Sequence, residues 1–212
     1  MSQLADFLLV LMVLANLAML GTKALHNSVR LLALQGAALG ALVPLMAGGD
    51  VQSYLLAAGV VALKGAVYPW VLQRVQRKVR GEEEDEPLVG YTASFFAGIL
   101  ALTVGFLLAP RLAPPGPEVT ALALPVALST IMSGLTLTVT RRLALSQVFG
   151  YVVLENGIFL FALAIVGELP LLLEMGGLLE VFFAVFVMGI AVDRISREFL
   201  TTDVDALGQL RG

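Results

Sequence analysis

Seven apolar stretches of roughly membrane-spanning length fill this 212-residue chain. A bilayer core is crossed by about 20 mostly apolar residues in a helix, and only helices and closed barrels satisfy their backbone there. The stretches run Leu4–Gly21, Leu31–Ala47, Ser53–Leu72, Tyr91–Ala109, Val119–Val139, Val148–Val166 and Leu171–Val192, separated by Gly, Pro or charge. Strand-like alternation is absent, so the expectation is an all-α, polytopic membrane protein of about seven transmembrane helices. Composition agrees: 58% of residues are hydrophobic and 14% charged, against about 45–50% and about 25% in soluble domains.

The distribution of cations orients the bundle, because Lys and Arg in short loops stay on the cytoplasmic side. Lys23, Arg30, Arg74, Arg77, Lys78, Arg80, Arg141, Arg142, Arg194, Arg197 and Arg211 follow spans 1, 3, 5 and 7, whereas Arg111 alone falls on the opposite side. The bias predicts N-out/C-in and an odd number of spans. No basic n-region precedes the first apolar run, which reads as a retained helix rather than a cleaved signal.

Along the chain, residues 1–80 form an amino-terminal three-helix membrane segment, 81–118 a charged loop with connecting helix 4, 119–198 a carboxy-terminal three-helix segment, and 199–212 a cytoplasmic tail. The long hydrophilic stretch Arg74–Pro87 runs from basic residues into Glu82, Glu83, Glu84, Asp85 and Glu86. It reads as a solvated loop, with a docking strip for a cytoplasmic partner as the sharper alternative. A shift of 120 residues lays Leu4 on Leu124, Met12 on Met132 and Gln35 on Glu155, hinting at a parallel duplication. With no cysteine and one histidine, His26, placed at a loop, the chain offers no iron–sulfur or bis-His haem site of its own. No cofactor, metal or nucleic acid is expected.

Chemistry must therefore reside in ionisable groups inside the spans, since an intramembrane charge is costly and marks function by default. Glu155 lies seven residues into span 6 with Tyr151 one turn earlier on the same face. Glu180 lies twelve residues, about 18 Å, from the cytoplasmic end of span 7. Burial moves a carboxyl towards holding and releasing protons near neutrality, as a relay requires. Lys64 falls near the middle of span 3, too deep to snorkel, and must find a partner or give up its proton. Pro69, five residues on, predicts a bend beside it. Glu174, near the outer end of span 7, reads as interfacial.

Two weaker patterns accompany these. Ser129, Ser133, Thr136 and Thr140 share one face of span 5, either bonded back to their own helix or lining a water wire. Gly36 and Gly40 give span 2 a close-packing face.

Span 5 followed by Arg141-Arg142, then Val153-Leu154-Glu155-Asn156 in span 6 and Leu179-Glu180 in span 7 with Arg194 beyond, resembles the K subunit of respiratory complex I and the C subunit of Mrp-type antiporters. In length and in its extra amino-terminal helices the whole chain resembles component E of hydrogenase-4 and related group 4 membrane-bound [NiFe] hydrogenases. The resemblance implies a non-redox subunit, without a catalytic centre, of a complex I-like oxidoreductase in a prokaryotic cytoplasmic (inner) membrane. Its partners would be other membrane subunits and the lipid bilayer. Glu155 and Glu180 would then belong to a proton or sodium path, Arg141 and Arg142 to the basic loop, and Tyr151 would support the first carboxyl. Lys64 has no counterpart in a three-helix K subunit and enters the proton pathway on burial alone. Two readings compete: a structural scaffold without an ion path, and an autonomous secondary transporter.

Overall fold

The structure, a computed structural model, describes residues 2–76, 87–112 and 121–165. Helices account for nearly all of these, in the order α1 (Ser2–Gly21), α2 (Leu25–Met46), α3 (Val51–Val60), a π-helical segment (Val61–Val67), α4 (Tyr68–Gln76), α5 (Tyr91–Leu112), α6 (Ala123–Thr140) and α7 (Ala144–Ile165). Because α3, the π segment and α4 form one continuous rod, six helical rods are long and apolar enough to cross a membrane. They match spans 1–6 of the sequence reading. Span 7, with Glu174 and Glu180, lies outside the described residues, as does the stretch 77–86.

The termini of these elements have local causes. Gly48 and Gly49 take positive φ, 99° and 67°, which lets the chain reverse after α2 at little steric cost. Asp50 then caps α3: its Oδ1 accepts from the backbone N–H of Ser53 at 2.9 Å and from the Ser53 hydroxyl. The hydroxyl contact and the backbone contact together hold the Asp50 carboxyl below its ordinary value of 3.8. The bend predicted beside Lys64 takes the form of the π segment. Pro69 has no N–H and its ring would strike the carbonyl of residue i−4, so the preceding turn widens. Accordingly, the N–H of Tyr68 bonds the carbonyl of Leu63, five residues back.

Glycine lets the rods approach. A Cβ on Gly36 would come within 2.5 Å of the Lys64 carbonyl oxygen, so the small-residue face of α2 is the surface against which the π segment lies. Likewise, a Cβ on Gly157 would lie 2.6 Å from the backbone nitrogen of Ile131, seating α7 closely on α6. α1 packs on α2, α5 and α6, and α2 packs on α3, α4, the π segment and α7.

The apolar core is divided in two. One cluster gathers Leu9 and Met12 of α1, Leu39 and Leu42 of α2, Val60 of α3, Val126 of α6, and Leu160 of α7. The other gathers Met19 and Leu20 of α1, Val29 and Leu32 of α2, Tyr68 and Leu72 of α4, Leu137 of α6, and Phe149 and Val152 of α7. On every one of these rods the residues between the two clusters include a buried polar side chain: Asn16, Gln35, Lys64, Thr130, and Glu155 with Asn156. A polar layer is thereby enclosed between two apolar halves.

Candidate functional site: a polar layer inside the bundle

Lys64 and Glu155 meet in this layer. The ammonium Nζ donates to Glu155 Oε1 at 2.5 Å, with the two side chains 3% and 1% exposed. Glu155 is ten residues from Leu145 and ten from Ile165, the ends of its span, which places it about 15 Å from either end. Lys64 is the buried residue of the π segment, and its Nζ also lies 5.4 Å from the centre of the Tyr68 ring, within cation–π range. Lysine and carboxylate neutralise each other where a lone charge would be strongly disfavoured.

A second arm of the layer consists of amides. Asn156 Nδ2 donates to Gln35 Oε1 at 3.4 Å, Gln35 Nε2 to Asn16 Oδ1 at 2.6 Å, and Asn16 Nδ2 to the Thr130 hydroxyl at 2.8 Å. Thr130 passes its own hydrogen to the Val126 carbonyl at 2.7 Å. The chain thus crosses α7, α2, α1 and α6, and Asn156 is covalently next to Glu155. Glu155 Oε2 and Asn156 Oδ1 are buried acceptors with no hydrogen-bond partner among the described residues.

Sequence-derived candidates are distributed as follows. Lys64 and Glu155 are brought together from 91 positions apart. Tyr151, half-buried, stands one turn before Glu155 on α7. Arg141 differs from a solvated loop cation: it is buried, its Nη2 donates to the Leu20 carbonyl at 2.7 Å, and its guanidinium lies 4.4 Å from the Tyr91 ring centre. It therefore caps the carboxy-terminal end of α1, where carbonyls lack helical partners. Arg142 is exposed, as is His26. The hydroxyl face of span 5 bonds largely to its own helix: Ser129 donates to Val126, Thr136 to Met132 and Thr140 to Thr136. Asn16 and Thr130 belong to the layer although the sequence reading passed over them; the signal was a lone amide at Asn16 interrupting an otherwise apolar run.

Among the described residues no group of His, Cys, Asp or Glu is arranged to hold a metal ion. The fold and the layer define a class: a polytopic helical membrane protein with a charge pair and an amide chain enclosed at mid-bundle.

Comparison with known proteins narrows this. The chain belongs to the same family as the uncharacterized protein Rv0085 of Mycobacterium tuberculosis, with which it is 36% identical over 214 residues, covering 99% of this chain and 97% of that protein. It is also 29% identical over 162 residues to hydrogenase-4 component E of Escherichia coli K12 and of Shigella flexneri, covering 76% of this chain and 74% of each relative. That distant homology supports the component E resemblance. No family model and no solved structure matches the chain.

Proposed function

We propose that this chain is a non-redox integral membrane subunit of a group 4 [NiFe] hydrogenase or related complex I-like assembly, contributing Lys64 and Glu155 to a proton or sodium path. The observation that carries this reading is the ion pair enclosed in the polar layer. Two apolar half-cores would pack without it, and a buried pair is a poor device for stability alone, since its desolvation offsets most of its attraction. The distant homology with a protein named as a hydrogenase-4 component supports the assembly. The N-out/C-in orientation and a second carboxyl at Glu180 belong to the same proposal. So does the likeness of the carboxy-terminal part to the complex I K and Mrp C subunits.

The chemistry follows from the pair. A proton taken up on Glu155 Oε2 cancels the carboxylate and loosens the ammonium of Lys64. Loss of that proton to a neighbouring group restores the ion pair, as does loss of one from Lys64 followed by transfer of the Glu155 proton to the Lys64 amine. Because the charges lie side by side across two rods, the movement runs laterally within the layer as readily as across the membrane.

A scaffold role is favoured by one observation, the direct 2.5 Å contact, which can staple α7 to the π segment without exchanging protons. Membership of the assembly is tested by isolating the tagged chain from its native membrane in mild detergent. Co-isolation with a nickel-containing large subunit and further membrane subunits is expected, with no visible absorption from this chain itself. A monodisperse single chain that transports a solute in liposomes would overturn the proposal.

A further inference from the structure

The amide chain has only one possible polarity. Thr130 spends its single hydrogen on the Val126 carbonyl, an acceptor that cannot reverse. The hydroxyl can then only accept from Asn16, which must present its NH₂ there and its Oδ1 to Gln35. Gln35 in turn presents NH₂ to Asn16 and Oε1 to Asn156. Asn156 is left with its NH₂ engaged and its Oδ1 without a partner among the described residues, as is Oε2 of Glu155, the preceding residue in the sequence. All four donors point the same way, so the acceptor end of the chain is fixed at α7.

We propose that Asn156, Gln35, Asn16 and Thr130 act as positioning residues that hold Asn156 Oδ1 as an obligatory acceptor and thereby seat a water molecule beside Glu155. This rests on the proton-path reading of Glu155 given above. A buried acceptor calls for a donor, and a site with several polar groups is where a buried water binds. Such a water donates one hydrogen bond to Glu155 Oε2 and the other to Asn156 Oδ1, and it passes a proton to Oε2 only as it receives one from the group that delivers protons to the layer, so that it remains neutral water. A reversed Asn156 would turn an N–H towards the water and compete with that orientation; the pinned Thr130 end prevents the reversal.

The test uses the assembled complex in inverted membrane vesicles, with Thr130→Val, Thr130→Ser, Gln35→Met and Glu155→Gln. Two readouts are taken at matched abundance: proton uptake, and the infrared O–H band of buried water that shifts in H₂¹⁸O. Thr130→Val and Gln35→Met are each expected to lower uptake about tenfold, because each orphans a buried amide, and to remove the band. Thr130→Ser retains both, and the Thr130→Val, Gln35→Met double variant is no worse than Gln35→Met alone, since one break already frees the chain. If Thr130→Val and Gln35→Met keep parental uptake and band while Glu155→Gln blocks uptake, the positioning chain is wrong and the proton-path reading stands. If Glu155→Gln leaves uptake intact, the proton path falls, and the band alone decides whether the chain seats a water.

Discussion

Gly36 of α2 lies directly against the backbone carbonyl of Lys64, so the helix that faces the buried lysine has no side chain at the point of contact. The widened turn that carries Lys64 and the absence of a Cβ at position 36 form one arrangement. Adding a methyl there forces backbone apart from backbone rather than deflecting a flexible side chain. Gly36→Ala should therefore destabilise the protein by about 1–3 kcal/mol, the usual cost of overpacking. Gly59→Ala, with nothing within 4 Å of its added Cβ, should be neutral or slightly stabilising. Thermal midpoints in detergent check this, and equal effects at the two glycines would contradict the packing described.

The ion pair predicts strong non-additivity. Lys64→Met leaves Glu155 facing an apolar partner and Glu155→Leu leaves an uncompensated ammonium, so each alone should cost roughly 3–5 kcal/mol. The double variant should be more stable than either, because two apolar side chains bury no charge. Chemical denaturation or membrane abundance of the four proteins measures the coupling. Additive losses would show that the two residues are not partners in the membrane.

Arg141 performs two tasks that only a planar guanidinium combines, bonding the Leu20 carbonyl and stacking on Tyr91. Arg141→Lys should lower the thermal midpoint clearly, whereas Arg142→Lys, at an exposed position, should leave it unchanged within error. The reverse ranking would return Arg141 to the role of a loop cation.

The cap on α3 gives a pH dependence with a definite sign. Asp50 is held below its ordinary value of 3.8 in the folded protein, so its contribution is fully present above that value and is lost as pH falls through the lower, folded one. Protection of residues 51–54 from deuterium exchange, taken relative to the intrinsic rate at each pH, should be constant near neutrality and fall only in strong acid. Asp50→Ala should show the fast exchange at every pH, and Asp50→Asn should protect as the parent does near neutrality. Fraying near pH 6 in the parent would require another titrating group.

The sequence exposed those features that follow from local composition. Six spans were legible because an apolar run of bilayer length has few other uses. Lys64 was recognisable as buried, and Pro69 as a source of local distortion, because lysine depth and proline geometry are properties of one rod. The partner of Lys64 was not legible: Glu155 is 91 positions away, and helix rotation and register decide which polar groups meet. For the same reason Asn16 passed as an isolated polar residue. Its meaning lies in Gln35 and Thr130 on two other rods. Arg141 read as a loop cation because charge counting cannot see that its guanidinium reaches back to the end of α1. The hydroxyls of span 5 were ambiguous in sequence, and back-bonding to carbonyls resolves Ser129, Thr136 and Thr140 in favour of the helix itself.

In the proposed path Glu155, paired with Lys64, takes up and releases the proton that the assembly moves. The most direct test of this is proton uptake into inverted vesicles at matched complex abundance, comparing the parent with Glu155→Gln, Glu155→Asp and the Glu155→Gln, Glu180→Gln double variant. Gln preserves shape and hydrogen bonding but cannot cycle a proton. Glu155→Gln is expected to abolish or severely reduce uptake with assembly intact, and Glu155→Asp to keep part of it. Parental uptake in the double variant would contradict the account and leave the Lys64–Glu155 pair as a structural staple.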